Sequence, residues 1–312
     1  MKISNPAFLD FTRQPDFKKI LTNPILDIAA RFWEDDRYEA FRICYRSMRV
    51  IDDLVDERKS TGIPLSNDEI TRYERTLDEW VDALRNQRPQ DAFQKQLLRT
   101  IDRFRIPAWP WIRLVKAMQY DLTHTGFPSL LRFFRYCEGA AIAPASIFMH
   151  LCGIRSGGDS VEPPPFDIRK AARPLALYSY LVHIIRDFQK DQTDGLNYFA
   201  DDLMSRHRVT AEDLQEAATE GRITPSIRGL FGEYHRIMKY YGDLARRTVN
   251  HVVPNLLPRY QLSLELIYNL YHQIFERIDI TGGSFTTSEL NPSPDEIQSR
   301  IDQVIAAMLS EK

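Results

Sequence analysis

Apolar residues recur at helical spacing through most of the chain. The periodicity predicts helices over residues 68–84, 112–122, 130–138, 171–189, 227–249 and 262–278, because positions three and four apart return to one face of an α-helix. Ser66-Asn67-Asp68-Glu69 carries the Ser-x-x-Glu pattern of a capping box at the head of the first of these. Ser293-Pro294-Asp295-Glu296 has the same form and predicts a last helix over residues 296–309. Strand-like alternation is almost absent. Loops are expected at 61–64, 156–165, 192–197 and 281–294, where turn-forming residues gather. The run 139–154 lacks Asp, Glu, Lys and Arg, is shorter than a membrane span and contains Pro144, so it reads as a buried helix pair or a helix bent at that proline.

Nothing divides the 312 residues: there is no repeat of solenoid length and no Gly/Ser-rich or single-charge linker. An all-α chain with one domain, 1–312, is the expectation. A net charge of −2 offers no electrostatic footprint for nucleic acid. Cys44, Cys137 and Cys152 are odd in number and far apart, which suits free thiols in a reducing compartment and gives neither a disulfide framework nor a zinc site. The first eleven residues lack the basic-then-apolar order of a signal peptide. A cytoplasmic protein is expected, with peripheral membrane contact if the substrate is a lipid; oligomeric state is not readable.

The chemistry is concentrated in two short stretches. Asp52-Asp53-Leu54-Val55-Asp56 and Asp187-Phe188-Gln189-Lys190-Asp191 each hold two aspartates four residues apart, with Arg49 and Arg186 at their N-terminal edges. That spacing puts both carboxylates on one helical face, where they repel. A hard divalent cation removes the repulsion, and Mg²⁺ favours a few carboxylates together with substrate phosphates. Two such pairs suggest helices facing each other across a pocket, with metal ions that hold a diphosphate. Around the first pair, Tyr45, Arg49, Asp52 and Asp56 fall within a stripe of about 60° at roughly 100° per residue. Around the second, Tyr180, His183, Asp187 and Asp191 share a face. His183 stands one turn before Asp187, where it could ligate a metal, bond a carboxylate or contact diphosphate; the preference of Mg²⁺ for oxygen argues against the first. Viewed separately, each pair could also be a solvated face with an intrahelical ion pair.

These segments resemble the two aspartate-rich motifs of the squalene/phytoene synthase family, head-to-head trans-isoprenyl diphosphate synthases. Tyr45, Arg49, Asp52, Asp53 and Asp56 match its Tyr-x-x-x-Arg-x-x-Asp-Asp-x-x-Asp segment, and Ile184-Ile185-Arg186-Asp187 with Asp191 resembles its second motif. Tyr136-Cys137-Glu138-Gly139-Ala140-Ala141 resembles the central helix, and Ile267-Tyr268 a pocket-lining tyrosine near the C-terminus. The resemblance spans roughly residues 24–278, with a C-terminal loop and helix, 281–312, beyond it. There are departures. His183 stands where the family usually has a metal-binding Asn. Residues 22–26 lack the His-Ser-x-Ser-Phe pattern, Leu196-Asn197-Tyr198-Phe199 lacks a phosphate-contacting arginine, and residues 286–293 lack a basic pair.

The resemblance implies the all-helical isoprenoid-synthase fold with a central cavity. It implies Asp52, Asp56, Asp187 and Asp191 as ligands of Mg²⁺, with Mn²⁺ as an alternative. Tyr45, Arg49, Arg186 and His183 would contact the substrate diphosphate, and Tyr45, Arg49, Tyr136, Arg186 and Tyr268 would be catalytic. The reaction implied is 1′-1 condensation of two prenyl diphosphates through a cyclopropyl diphosphate: farnesyl groups to squalene or dehydrosqualene, geranylgeranyl groups to phytoene. NADPH use stays open, as no dinucleotide fingerprint is visible. Phe32, Phe41, Phe133, Phe134, Phe148 and Phe188 are candidates to line the cavity, or ordinary core. The small-residue run at 139–146 suits either close helix packing or a groove for a prenyl tail. The altered anion contacts leave a class I terpene cyclase or diphosphate lyase as an alternative, and a non-catalytic helical partner of an isoprenoid enzyme as another. A di-iron bundle is a weaker reading, resting on Asp121-Leu122-Thr123-His124.

Overall fold

The computed structural model describes residues 10–12, 15–59, 65–157 and 160–310. The expected loop at 61–64 lies outside the described residues. The chain runs through α1 (Phe17–Ile20), α2 (Ile25–Ala30), α3 (Asp35–Lys59), α4 (Asn67–Asn86), α5 (Ala92–Arg103), α6 (Trp109–Thr123), α7 (Leu130–Ala140) and α8 (Ile142–Gly153). A hairpin follows, β1 (Arg155–Gly157) paired antiparallel with β2 (Ser160–Glu162). Then come α9 (Ile168–Arg186), α10 (Phe188–Thr193), α11 (Asp201–His207), α12 (Ala211–Glu220), α13 (Pro225–Val252), α14 (Pro258–Phe275), α15 (Thr287–Leu290) and α16 (Pro294–Ser310). The hairpin falls in the expected loop 156–165. Among the described residues, no helix is long and apolar enough to cross a membrane.

Both sequence-level caps form. Ser66 accepts from the Glu69 amide while Glu69 reaches back to the Ser66 amide, and Ser293 and Glu296 make the same exchange at the head of α16. A third, Thr210 with Asp213, opens α12.

Helix α9 is central, packed between α8 and α13, while α3 lies against α5, α6 and α8. Buried polar side chains join distant segments. Trp33 Nε1 donates to Ser263 Oγ at 2.7 Å, linking the start of α3 to α14. Trp111 Nε1 donates to Ser47 Oγ at 2.8 Å, linking α6 to the middle of α3. The Arg37 guanidinium is buried, donates to the carbonyls of Leu151 and Ile154, and lies 4.5 Å above the Tyr260 ring. These bonds satisfy polar groups that would be costly to bury alone.

The small-residue run has two separate roles. A Cβ on Gly139 would sit 2.2 Å from the Arg113 carbonyl oxygen and 2.7 Å from Ala117 Cβ, so this glycine permits the close approach of α7 to α6. Ala140, Ala141, Pro144 and Ala145 instead face the central cavity. Of the two expected forms the structure has the helix pair, broken at Ala141 (φ −117°, ψ −51°), and not the helix bent at Pro144. Proline lacks the N–H for an i→i−4 bond and its ring crowds the carbonyl four residues back, so the interruption appears upstream. Pro144 itself then fits the first turn of α8, where no N–H is required.

The predicted helix over 171–189 also divides. Helix α9 ends at Arg186, Asp187 adopts φ −94° and ψ 4°, and α10 begins at Phe188. The amide of Asp187 still bonds the His183 carbonyl, and that of Asp191 the Asp187 carbonyl, both at 2.8 Å. The four-residue spacing therefore remains about one turn across the break.

Candidate functional site

A cavity of about 830 Å³ lies within the helical bundle, inside the size range of small-molecule clefts. All eight residues of the two polar stripes line it: Tyr45, Arg49, Asp52 and Asp56 from α3, and Tyr180, His183, Asp187 and Asp191 from α9 and α10. Two tyrosines connect the stripes. Tyr198 lies in the electrostatic reach of Asp52, Asp56 and Asp191, and Tyr271 in that of Tyr45, Arg186 and Asp187. Elsewhere the wall is apolar, with Ala172, Leu175 and Ala176 one to three turns back along α9, Leu264 and Ile267 from α14, and Phe148 from α8.

Each arginine closes on the first carboxylate of its own motif. Arg49 Nη1 lies 2.6 Å from Asp52 Oδ2, and its Nη2 contacts Asp53. Arg186 donates to both oxygens of Asp187, from Nε at 2.7 Å and Nη2 at 2.6 Å. Burial raises the Asp187 pKa, but the Arg186 pair outweighs it and holds this carboxyl below the usual range. Asp191 has no such partner among the described residues: burial first, then Asp187, pushes it up to about 7. Asp52 is likewise raised, by burial and then by Asp56, against the opposing pull of Arg49. Burial, with the Arg186 charge beside it, lowers the His183 imidazole to about 3, so it is neutral at physiological pH. Burial raises the Tyr45 phenol and keeps it a proton donor.

The donor set suits a hard divalent cation: carboxylate oxygens on two walls, crowded enough that two of them hold protons more tightly than usual. Among the described residues, no three or more His, Cys, Asp or Glu side chains converge on one point that could hold a metal ion. The two walls offer partial shells that phosphate oxygens would complete.

The profile of a family described as squalene/phytoene synthase matches residues 28–294. The chain belongs to the squalene/phytoene synthase family. Family relatives include phytoene synthase 1, chloroplastic, of Zea mays, 24% identical over 246 residues that make up 78% of this chain and 56% of that one. Phytoene synthase 2, chloroplastic, of Solanum lycopersicum is 23% identical over 244 residues, 78% of this chain and 73% of its own. The match spans little more than half the length of the maize relative. A solved dehydrosqualene synthase superposes with a TM-score of 0.70 at 16% identity, covering 97% of this chain and 99% of that one. The squalene synthase HpnC from Alicyclobacillus acidocaldarius gives 0.62 at 16% identity, covering 84% and 88%. The fold is the all-α isoprenoid-synthase fold of these neighbours.

Within this family member, Tyr136 lines the cavity and its hydroxyl donates to Asp121 Oδ2 at 2.7 Å. Asp121 is almost fully buried and was not singled out for this site; its neighbour one turn on, His124, stacks on Tyr120 at 3.9 Å. The di-iron reading therefore has no shared site at these two residues. Tyr268 is not part of the cavity wall. Its ring stacks on Tyr178 and lies beneath the Arg246 guanidinium, 4.7 Å away. Tyr271, three residues on, takes the cavity position. Of the six candidate phenylalanines, Phe148 lines the cavity; Phe32, Phe41, Phe133 and Phe188 are core, and Phe134 packs on Tyr241. Tyrosines make most of the aromatic wall. Tyr198, Tyr271, Gln273 and Asn291 also line it; the recurrence of Ile267, Leu270, Tyr271 and Ile274 along one face of α14 is the signal that could have located Tyr271.

The raised Asp191 pKa has a consequence for stability. The folded state binds this proton more tightly than the unfolded chain, so without metal the group's stabilising contribution is full below about pH 4 and is lost as pH rises towards 7. Asp191→Asn, which resembles the protonated acid, is expected to melt above wild type at pH 8 in chelator, by about 1–2 °C per kcal/mol of relieved repulsion. The difference should be smaller at pH 5 and vanish below about pH 4. Equal melting temperatures at pH 8 and at pH 5 would show that Asp191 titrates normally.

Proposed function

We propose that this protein is a divalent-cation-dependent prenyltransferase that joins two prenyl diphosphates head to head. The observation that carries the reading is the single cavity in which two carboxylate pairs and two arginines meet an apolar wall. Asp52 and Asp56 on one side, and Asp187 and Asp191 on the other, would hold Mg²⁺. The metal would supply Lewis-acid neutralisation of the charge that develops on the leaving diphosphate.

The side chains do the remaining work. Arg49 and Arg186 bind diphosphate oxygens and fix the polar end of the substrate. Tyr45 adds a hydroxyl donor at the same end. As the allylic C–O bond breaks, its electron pair leaves with the diphosphate, and these fixed donors stabilise the developing anion. The prenyl tail lies along Ala176, Leu175, Ile267 and Phe148, which exclude the water that would quench an allylic cation. Asp121 orients the Tyr136 hydroxyl at the edge of this space. The double bond of the second prenyl diphosphate attacks the allylic carbon and a proton is lost, closing a cyclopropyl diphosphate. Departure of its diphosphate and a second proton loss give a dehydrosqualene- or phytoene-type product, whereas a squalene-type product takes hydride from NADPH in place of the second proton loss.

A second reading, a cyclase or lyase acting on one diphosphate, is favoured by the small number of cations: among the described residues, Arg49 and Arg186 are the Lys and Arg side chains on the cavity wall. The deciding experiment incubates the protein with farnesyl or geranylgeranyl diphosphate, Mg²⁺, and NADPH present or absent, followed by mass spectrometry. A C30 or C40 product is expected. A C15 or C20 product would replace condensation with the second reading, and no diphosphate release from any prenyl substrate would leave a non-catalytic partner.

A further inference from the structure

Among the described residues, the two most exposed large apolar side chains are Leu131 and Tyr240, each 61% exposed, and they belong to one surface. Leu131 is on α7 and Tyr240 on α13, and the two helices run side by side in the same direction. Near the start of α7 the Leu130 amide donates to Asp202, and on α13 the Tyr234 hydroxyl accepts from the Ala200 amide, so both helices meet the head of α11. One to two turns on, the Phe134 ring packs edge-on against Tyr241, with centroids 5.5 Å apart. Leu131 and Phe134 are three residues apart on α7, as Ile237 and Tyr240 are on α13, so each pair shares a face. With Tyr241 they form an apolar strip across the two helices. Ile237 and Tyr240 also wall a shallow groove beside it, with Glu233 and Arg236.

The charge around this strip is mostly positive. Arg135 follows Leu131 by one turn, Arg236 precedes Tyr240 by one turn, and Arg247 follows it by two. All three are exposed and make no ion pair among the described residues. The acids nearby are largely engaged: Glu138 by Arg169 and Arg173, Glu233 by Arg206 and His207, and Asp202 by the Leu130 amide. Asp243 is the exposed acid on this stretch of α13. The cations are thus a local concentration on a chain whose net charge is −2.

We propose that this face of α7 and α13 docks on an anionic lipid bilayer, with Leu131 and Tyr240 entering the interface and the arginines lying on its headgroups. Exposed apolar side chains gain by burial there, and basic residues by attraction to negative headgroups. A second copy of the chain fits worse, because an isologous contact would set the arginines of one protomer against those of its partner. Helix α7 also turns Tyr136 and Ala140 to the cavity, so the docking face and the cavity share one helix. Bilayer binding rests on this surface alone, and its failure would leave the proposed condensation standing.

The test is co-sedimentation of the full-length protein with vesicles of phosphatidylcholine, alone or with about one-third phosphatidylglycerol. Binding to the anionic vesicles is expected, and it should weaken as salt rises and screens the arginines. Arg135→Gln combined with Arg236→Gln should weaken it about 25-fold, at about fivefold per basic residue. Leu131→Ser combined with Tyr240→Ser should weaken it at least about tenfold. Leu257→Ser, an exposed apolar position outside the strip, should change it less than about twofold. Circular dichroism checks each fold, which exposed positions leave largely intact. Absence of wild-type binding to anionic vesicles, equal binding to neutral ones, or binding that both double variants retain would each overturn the proposal. A wild-type dimer in sedimentation velocity that the Leu131→Ser, Tyr240→Ser pair splits would overturn it too, and would give the face to a second copy.

Discussion

Asp52→Asn and Asp191→Asn are each expected to lower turnover by about 10³-fold or more, the scale on which an organised charge contact acts in a transition state. Both proteins should remain folded. Asp52 loses its contact with Arg49, but that arginine is 48% exposed and retains Asp53, so the pair adds little stability. Asp191 has no side-chain hydrogen bond to lose among the described residues and relieves repulsion with Asp187. Activity and melting should therefore separate: catalysis collapses while the fold holds. Asp187→Asn should behave differently, because it breaks the two-bonded Arg186 pair and leaves a half-buried guanidinium short of a partner. It should lose both turnover and several degrees of melting temperature. Steady-state product release and a thermal scan on the three variants check this; near-wild-type activity in Asp52→Asn or Asp191→Asn would remove the carboxylates from the mechanism.

The second large effect concerns the apolar end. Ala176→Trp should place an indole in the cavity, where Ala176 forms part of the wall, instead of forcing it into packed core. Overpacking a filled core costs about 1–3 kcal/mol, and space already open reduces that strain. Condensation of farnesyl diphosphate is expected to fall at least about 10²-fold, since a misplaced tail carries the reacting carbon out of line. Diphosphate release from a shorter, ten-carbon substrate should survive. Loss of both activities to the same degree would show that the substitution disturbs the polar end, and unchanged farnesyl turnover would show that the tail lies elsewhere.

Both polar stripes were legible because their information is local. Residues three and four apart on a helix share a face whatever the rest of the chain does, so Tyr45, Arg49, Asp52 and Asp56 were grouped before any tertiary contact was known. Tyr268 shows the limit of that logic. It and Tyr271 are neighbours on one helix, and only the packing of Tyr178 and Arg246 decides which of them turns from the cavity. Asp121 was misleading for a related reason. Its sequence neighbour His124 suggested metal binding, while its actual partner, Tyr136, lies on the next helix. The phenylalanines were over-read because a large apolar side chain obeys the same periodicity in a core as in a cavity wall. The break at Ala141 was nearly legible: proline announced it, but its effect appears upstream of the proline itself.

The two walls differ mechanically. Helix α3 is continuous over 25 residues, Asp35–Lys59, and carries Asp52 and Asp56 within its length. The facing pair straddles a joint, with Asp187 at the break and Asp191 on a six-residue helix beyond it. A short helix after an irregular residue opens at lower free energy than the middle of a long one. Accommodation of ions of unequal radius, or of successive ligands during turnover, should thus fall on α10, with α3 as the fixed reference. Amide hydrogens of Phe188–Thr193 should exchange with solvent well before those around Asp52, and should slow the most when metal and diphosphate are added together.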